Sequence, residues 1–326
     1  MGSNREIIQH ESLGTDDMND PTSDGHPQIS IVIPTRNSAR TLARCLSSIK
    51  AQTLPCEVVV VDNDSMDETI EIARNFGYRV VRGGPERSAQ RNIGLSLCNG
   101  TVVGFIDSDM ILDPEVAEEV NRLIDDSCVA VVVPEYTSGS GYWTSVRAFE
   151  RSMYLENQNV EAARFFRKSV VDQIHGFNEQ LTGGEDWDLE IRVRDHGTIR
   201  RTDAQIEHDE GRLQYIEACK KKGYYAKGYA KFAQEHGVRK LISITFDRPY
   251  IKSPKVLIST KGIGLIALKL GELVAILSVV MRQLVLDNTT SRFLHNAALA
   301  EVSSSRARGF IAHVRMNVCV QDREDT

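Results

Sequence analysis

Two aspartates stand two residues apart at Asp107-Ser108-Asp109, directly after the apolar run Thr101 to Ile106. Where a chain leaves a sheet, both carboxylates of such a pair can face one hard cation. A magnesium or manganese ion held there keeps positions open for substrate phosphate oxygens. An ordinary turn explains the same residues, since Asp is common after strands, and the triplet alone is a weak signal. One strand earlier, Asp62-Asn63-Asp64-Ser65 repeats the pattern and runs into Asp67-Glu68, for which a helix N-cap is the plainer reading. Further on, Gly183-Gly184-Glu185-Asp186-Trp187-Asp188 places two adjacent carboxylates at an expected helix start. Their mutual repulsion raises one pKa toward the working range of a general base, and the glycines let backbone approach a ligand. A capping cluster anchored by Trp187, with Asp188 structural, is the alternative. Arg87 and Arg91 bracket Ser88-Ala89-Gln90. A guanidinium grips diphosphate oxygens two at a time, although Arg87 can equally be a solvated side chain.

The elements that must position these groups alternate. Ile29 to Ile33 stops at Pro34, Glu57 to Val61 at Asp62, Thr101 to Ile106 at Asp107, and Val129 to Val133 at Pro134; Arg79 to Val81 is a weaker strand. Near-continuous apolar runs predict strands covered on both faces, as in a parallel sheet. Leu42, Cys45, Leu46 and Ile49 share one helical face, and Ile70, Ala73 and Phe76 share another that ends at Gly77. Pro114 suits a helix start, with Val116, Val120, Leu123 and Ile124 inward. Strand alternating with helix predicts an α/β domain with right-handed crossovers. In such sheets ligands gather at the carboxyl ends of the strands, where the polar residues fall.

Composition narrows the function. The chain has 326 residues, 39 Lys plus Arg against 45 Asp plus Glu, and a formal charge of −6. That balance argues against a nucleic-acid partner. Residues 1–28 hold Arg5 against six acids, leaving 38 basic and 39 acidic residues for the remainder. This stretch is expected to be a disordered acidic tail and, lacking an apolar core segment, not a signal peptide. Six cysteines without C-x-x-C spacing read as reduced thiols in a cytosolic compartment. No G-x-G-x-x-G follows the first strand and no G-x-x-x-x-G-K-[ST] occurs, which argues against dinucleotide oxidoreductases and P-loop NTPases.

Five segments in order resemble glycosyltransferase family 2: Ile31 to Asn37, Val60 to Thr69, Ser88 to Gly94, the Asp107-Ser108-Asp109 triplet, and Gly183 to Leu189. The match covers roughly residues 29–210. The resemblance implies a GT-A fold, a Rossmann-like, mostly parallel sheet flanked by helices. It also implies inverting transfer of a sugar from a nucleoside-diphosphate donor, with Mn2+ or Mg2+ at the leaving diphosphate. On that basis Asp109 is the direct metal ligand, Asp107 touches metal and ribose, and His208 supplies a third metal-side ligand. Asp186 is the base and Glu185 orients the acceptor or its loop. Arg91, and less clearly Arg87, holds diphosphate. Pro34, Thr35, Asn37, Asp62 and Asn63 line the nucleoside pocket. Asn63 departs from the commoner Asp-Asp pair, so the donor base stays open. For His208, a structural loop histidine is the alternative.

Beyond about residue 212 the resemblance fades. Lys220 to Tyr225, with Lys227 and Tyr229, mixes cations with aromatics, and an apolar stretch runs from Ile263 to Met281. Its length approaches a membrane span, but Lys269 and Glu272 near its centre each cost roughly 2.5–3.5 kcal/mol on insertion. A helix lying in the membrane interface, or one packed on the catalytic domain or at a homodimer contact, fits better. The expected organisation is therefore an acidic tail (1–28), a catalytic domain (29–245) and a helical C-terminal extension (246–326). The expected acceptor is a glycan, lipid-linked or membrane-proximal, met by a cytoplasmic protein peripheral on the inner face of the cell membrane. Residues 135–165, with Tyr136, Tyr142, Trp143 and Tyr154, are expected at the acceptor surface.

Two rival classes share these residues. Phe105 to Asp109 also fits the nucleophile of a haloacid-dehalogenase-type phosphotransferase, though that class wants the pair on its first strand. A catalytically silent nucleotide- or glycan-binding module would keep the fold without needing acids at 107, 109 and 186.

Overall fold

The structure, a computed structural model, describes residues 29–154, 161–246, 256 and 259–282; the expected acidic tail lies outside the described residues. Strand and helix alternate through β1 (Ile29–Thr35), α1 (Ala39–Lys50), β2 (Glu57–Asp62), α2 (Thr69–Asn75), β3 (Arg79–Arg82), α3 (Arg87–Leu97) and β4 (Val102–Phe105). Then come β5 (Met110–Leu112), α4 (Val116–Leu123), β6 (Cys128–Val132), β7 (Glu135–Ser138), α5 (Tyr142–Ser152), β8 (Phe165–Arg167), α6 (Lys168–Gln173), α7 (Glu185–Arg194), β9 (Thr198–Arg201) and β10 (Ile206–Asp209). Four helices follow: α8 (Tyr215–Tyr225), α9 (Tyr229–His236), α10 (Val238–Phe246) and α11 (Thr260–Arg282).

Seven strands form the central sheet in the order β3-β2-β1-β4-β8-β6-β9. The β3-β2-β1-β4 half is parallel throughout, β6 and β9 are parallel, and β8 runs against both its neighbours. The sheet is mostly parallel, as the apolar runs predict, because alternate residues are buried on both faces. Ile29, Ile31 and Ile33 pack toward α1, α2 and α4, while Val32, Val59, Val61 and Val103 pack toward α3, α6 and α7. The predicted faces hold: Leu42, Cys45, Leu46 and Ile49 are buried in α1, and Gly77 follows α2 with φ +78°. Several boundaries shift by a residue or two: β1 runs through Pro34 to Thr35, and β6 spans Cys128–Val132. The strand expected over 101–106 is confined to Val102–Phe105, and α4 begins at Val116 rather than at Pro114.

A second sheet, β5-β10-β7, was not expected from the sequence. It takes the chain immediately after Asp107-Ser108-Asp109, with β10 antiparallel to β5 and parallel to β7.

The C-terminal apolar stretch is one helix, α11, long and apolar enough by length and composition to cross a membrane. One face packs on the body of the protein, where Leu265 and Leu268 are buried with Val146 of α5 and Ala218 of α8. Lys269 and Glu272 face inward. Arg147 reaches Glu150 (2.7 Å) and Glu272 (2.6 Å), and Lys269 reaches the same two carboxylates (2.6 and 2.8 Å). Burial pushes the Glu150 carboxyl up, but Lys269 and Arg147 outweigh it and bring it down to about 2 from the ordinary 4.5. A carboxylate lowered by folding contributes stability above its ordinary value and loses it as pH falls toward the folded one. The packing of α11 is therefore expected to hold above pH 4.5 and to weaken between there and about 2. Near-ultraviolet circular dichroism of Trp143, which packs 4.7 Å from Tyr215, reads this transition, and Glu150→Gln flattens it.

Candidate active site

The carboxyl ends of β1, β2 and β4 lie side by side. Thr35 stands opposite Asp62 in the register, and Ile106, just past β4, bonds through its N–H to Val32 O (3.1 Å). Asp62 is fully buried: it accepts from the Thr35 hydroxyl (2.9 Å), the Ser65 hydroxyl (2.5 Å) and the Ser65 N–H (2.9 Å). Asn37, at φ +51°, accepts from Met66 N–H, and the Asn63 amide donates to Pro85 O (3.0 Å). Gln90 of α3 clasps both strand ends, donating to Thr35 O (2.9 Å) and Val61 O (2.7 Å).

Arg91, one residue further along α3, is 0% exposed. It joins Asp186 (2.8 Å) to Asp107 (2.9 Å) through its two terminal nitrogens, with Glu185 at 3.7 Å. Burial alone would raise the Asp107 carboxyl, but Arg91, Arg87 and Arg164 hold it well below the usual carboxylate range. Arg87 pairs with Glu185 (3.0 Å), lies over the Tyr225 ring and keeps 37% of its side chain exposed. Arg87, rather than Arg91, thus reaches solvent.

Glu185 and Asp186 open α7, and the chain turns into it through Gly184 at φ +86°. Gly183 touches the Tyr225 carbonyl so closely that a Cβ has no room. The two acids then diverge. Glu185 is buried, and burial followed by the charge of Asp186 raises its pKa. Asp186 keeps 31% of its side chain exposed, with Arg164 at 3.7 Å from its second oxygen. Asp188, also on α7, is buried and bound by Arg192 and by His236 (2.7 Å).

β10 brings His208 beside the D-x-D segment, since His208 pairs with Met110 and Asp209 N–H bonds to Asp109 O. His208 Nε2 lies 3.4 Å from Asp109 Oδ2; its Nδ1 meets Arg151 (2.9 Å) and Glu135 (3.3 Å). Burial lowers the imidazole pKa, but hydrogen bonds to Asp109 and Glu135 outweigh it and raise it to about 9. Glu135 also accepts from Arg164 (2.7 Å). Charges of alternating sign therefore run from Asp109 through His208, Glu135, Arg164, Asp186 and Arg91 to Asp107.

A cleft of about 360 Å³ opens on this circuit, lined by Arg87, Asp107, Glu135, Arg164, Asp186 and His208. Its other end is formed by Arg147, Lys221, Tyr225 and Glu272. Pro34, Thr35, Asn37, Asp62 and Asn63 stand outside that lining, at the ends of β1 and β2. Of the expected aromatics, Tyr154 lines the cleft, while Trp143 packs against Tyr215 and Tyr142.

Sequence reasoning missed Glu135, Arg151, Arg164 and Gln90. Glu135 carried a usable signal: it stands just past the Val129 to Val133 run, one residue beyond Pro134. Among the described residues, the group of three whose ligand atoms lie within 4.8 Å of one another is Asp188, Glu235 and His236; the expected trio Asp107, Asp109 and His208 does not close to that distance, Asp107 being turned to Arg91 (2.9 Å).

A parallel strand series edged with acids, and a small second sheet that delivers a histidine beside them, define the GT-A fold. The fold is shared with a mannosyltransferase from Pyrobaculum calidifontis, solved in complex with GDP-Man and Mn2+. That likeness has a TM-score of 0.53 and 16% identity, and covers 83% of this chain and 90% of that one. The family model for glycosyl transferase family 2 matches residues 30–181. Over 177 residues the chain is 30% identical to a PGL/p-HBAD biosynthesis glycosyltransferase of Mycobacterium bovis, which covers 51% of this chain and 69% of that protein. It is 28% identical over 240 residues to a pre-mycofactocin glycosyltransferase of Mycobacterium tuberculosis, which covers 66% of this chain and 50% of that protein. The chain thus spans about half the length of that relative. It belongs to glycosyltransferase family 2.

Proposed function

We propose that the protein is a metal-dependent, inverting glycosyltransferase that moves a sugar from a nucleoside-diphosphate sugar to an acceptor hydroxyl. The observation that carries this reading is the single buried guanidinium of Arg91 between Asp107 and Asp186, with the Asp109–His208 pair on the same circuit.

The donor set fits a divalent ion. Two ligands at right angles around an ion at roughly 2.1 Å lie about 3 Å apart, close to the 3.4 Å between Asp109 Oδ2 and His208 Nε2. Carboxylate oxygens suit both Mn2+ and Mg2+, and the imidazole favours Mn2+ of the two. Asp109 and His208 would hold the ion, and it would stabilise the negative charge gathering on the departing diphosphate. To ligate a cation, His208 would have to give up the Nε2 proton it shares with Asp109, while its Nδ1 stays within reach of Glu135 (3.3 Å) and Arg151 (2.9 Å). Arg87 offers its exposed guanidinium to diphosphate oxygens. Thr35, Asp62 and Asn63, with Pro34 and Asn37, form the nucleoside edge. Within it, the hydrogen bonds of Asp62 shape the Ser65 turn.

Asp186 is the base. Arg91 and Arg164 fix its carboxylate, and its exposed part can accept the proton of an attacking hydroxyl. A single displacement with the base opposite the leaving group inverts the anomeric centre. Glu185, buried and paired, positions Arg87 rather than meeting the acceptor. The acceptor is a glycan, free or lipid-linked, whose approach passes Tyr154.

A donor screen by thermal shift tests this. GDP-mannose and UDP-sugars are expected to raise the melting temperature only together with Mn2+ or Mg2+, and Asp109→Ala is expected to abolish the shift. Transfer should then give product of inverted configuration by proton NMR. Retained configuration, or phosphate-ester hydrolysis unaffected by Asp186→Asn, would refute the proposal.

A further inference from the structure

α11 is built inside out. Lys269 and Glu272 turn into the protein, whereas every exposed residue between 262 and 281 is apolar except Ser278. Ile263, Ile266, Leu270, Val274, Leu277 and Met281 recur at three- and four-residue spacing and are 40–66% exposed. They form one stripe about 27 Å long at 1.5 Å per residue. A surface in water rarely carries so long an uncharged apolar stripe.

The other side of α11 is occupied. Tyr215 donates to Ala267 O (3.0 Å), and Gly223 and Gly271 sit where α8 and α11 touch. Hydrocarbon can therefore reach one face only. A spanning helix would also drag the Glu217–Lys220 pair of α8, about two-thirds exposed, into the bilayer. The in-plane arrangement avoids both problems. On α8, Tyr215, Ala218, Cys219 and Gly223 meet α11, and the stripe on the outer side of that contact is Ile216, Lys220 and Tyr224, with Lys227 stacked on the Tyr224 ring at 4.9 Å. Lys261 and Arg282, both exposed, mark the two ends of α11. Apolar side chains rimmed by cations and a tyrosine match the boundary between acyl chains and headgroups. A second copy would set these cations against their own counterparts, whereas anionic headgroups neutralise them.

We propose that α11 docks in the plane of an anionic lipid bilayer, burying this stripe while its ion pairs stay inside the protein. Arg147 and Glu272 also line the cleft. The docked protein thus holds that cleft beside the lipid for an acceptor anchored in the same leaflet, a consequence that rests on the proposed sugar transfer.

Flotation of the full chain with phosphatidylcholine vesicles, with and without phosphatidylglycerol, tests the docking. The wild type is expected to float with the anionic vesicles and to do so less at high salt. Leu270→Glu/Leu277→Glu is expected to weaken partitioning about tenfold or more. Val274→Glu, at the most exposed position, acts in the same direction without touching the packed face. Melting temperature and the donor-dependent shift, read without lipid, are expected to match wild type, which separates failed docking from failed sugar transfer. Wild-type protein that stays soluble with every vesicle overturns the proposal. So does a wild-type dimer that ignores vesicles and that Leu270→Glu/Leu277→Glu splits.

Discussion

Asp186→Asn is expected to lower kcat by about three orders of magnitude while leaving donor affinity within a fewfold of wild type. The amide keeps the shape of the carboxylate but cannot take the proton of an attacking hydroxyl. The proposed donor contacts lie elsewhere, at the strand ends and along the Asp109–His208 pair. The substitution also removes one partner of Arg91, but Asp107 at 2.9 Å and Glu185 at 3.7 Å remain to hold that guanidinium. Steady-state kinetics, with a thermal shift for donor binding, separates the two effects. If kcat changed less than about tenfold, the base would have to be another group.

Arg91→Met is expected to destabilise the fold by about 3–5 kcal/mol, the range for breaking a buried ion pair from one side. For a unit of this size that lowers the melting temperature on the order of 10 °C. Arg91 is wholly buried and stands between Asp107, Asp186 and Glu185, so its removal leaves three carboxylates without their shared counter-charge. Met fills the space over the Phe177 ring, which Arg91 covers at 5.0 Å, so lost volume does not explain the effect. Arg91→Lys is expected to rescue little, because one ammonium cannot bridge two carboxylates in the fork geometry of a guanidinium. Calorimetry reads both variants. A Met variant melting within a degree of wild type would show the circuit to be energetically idle.

The parallel half of the sheet was legible because burial on both faces leaves unbroken apolar runs such as Val58 to Val61, each ended by a polar residue. The positions of the acids at 62, 107, 109, 185 and 186 were legible because the turns after strands and the first turns of helices favour acidic side chains. Depth was not. Spacing put Arg91 on α3 but not its side chain beneath the cleft, where desolvation makes it a strut between acids. The second sheet was invisible because its strands are three or four residues long and mix polar with apolar side chains, as in Ile206–Asp209. Lys269 and Glu272, three residues apart, share one helical face, and that face meets Arg147 and Glu150 rather than solvent. No periodicity within α11 encodes what lies opposite it.

The central claim is that Asp109 and His208, brought together from separate segments, hold one ion that steadies the departing diphosphate. Electron paramagnetic resonance titration of Mn2+, with and without a nucleoside diphosphate, tests it directly. The account predicts one tight Mn2+ that the nucleoside diphosphate strengthens, that Asp109→Ala abolishes and that His208→Ala weakens. Glu235→Gln, in the Asp188–Glu235–His236 group, should leave it untouched. Mn2+ binding that survives Asp109→Ala and disappears in Glu235→Gln would place the ion elsewhere and contradict the account.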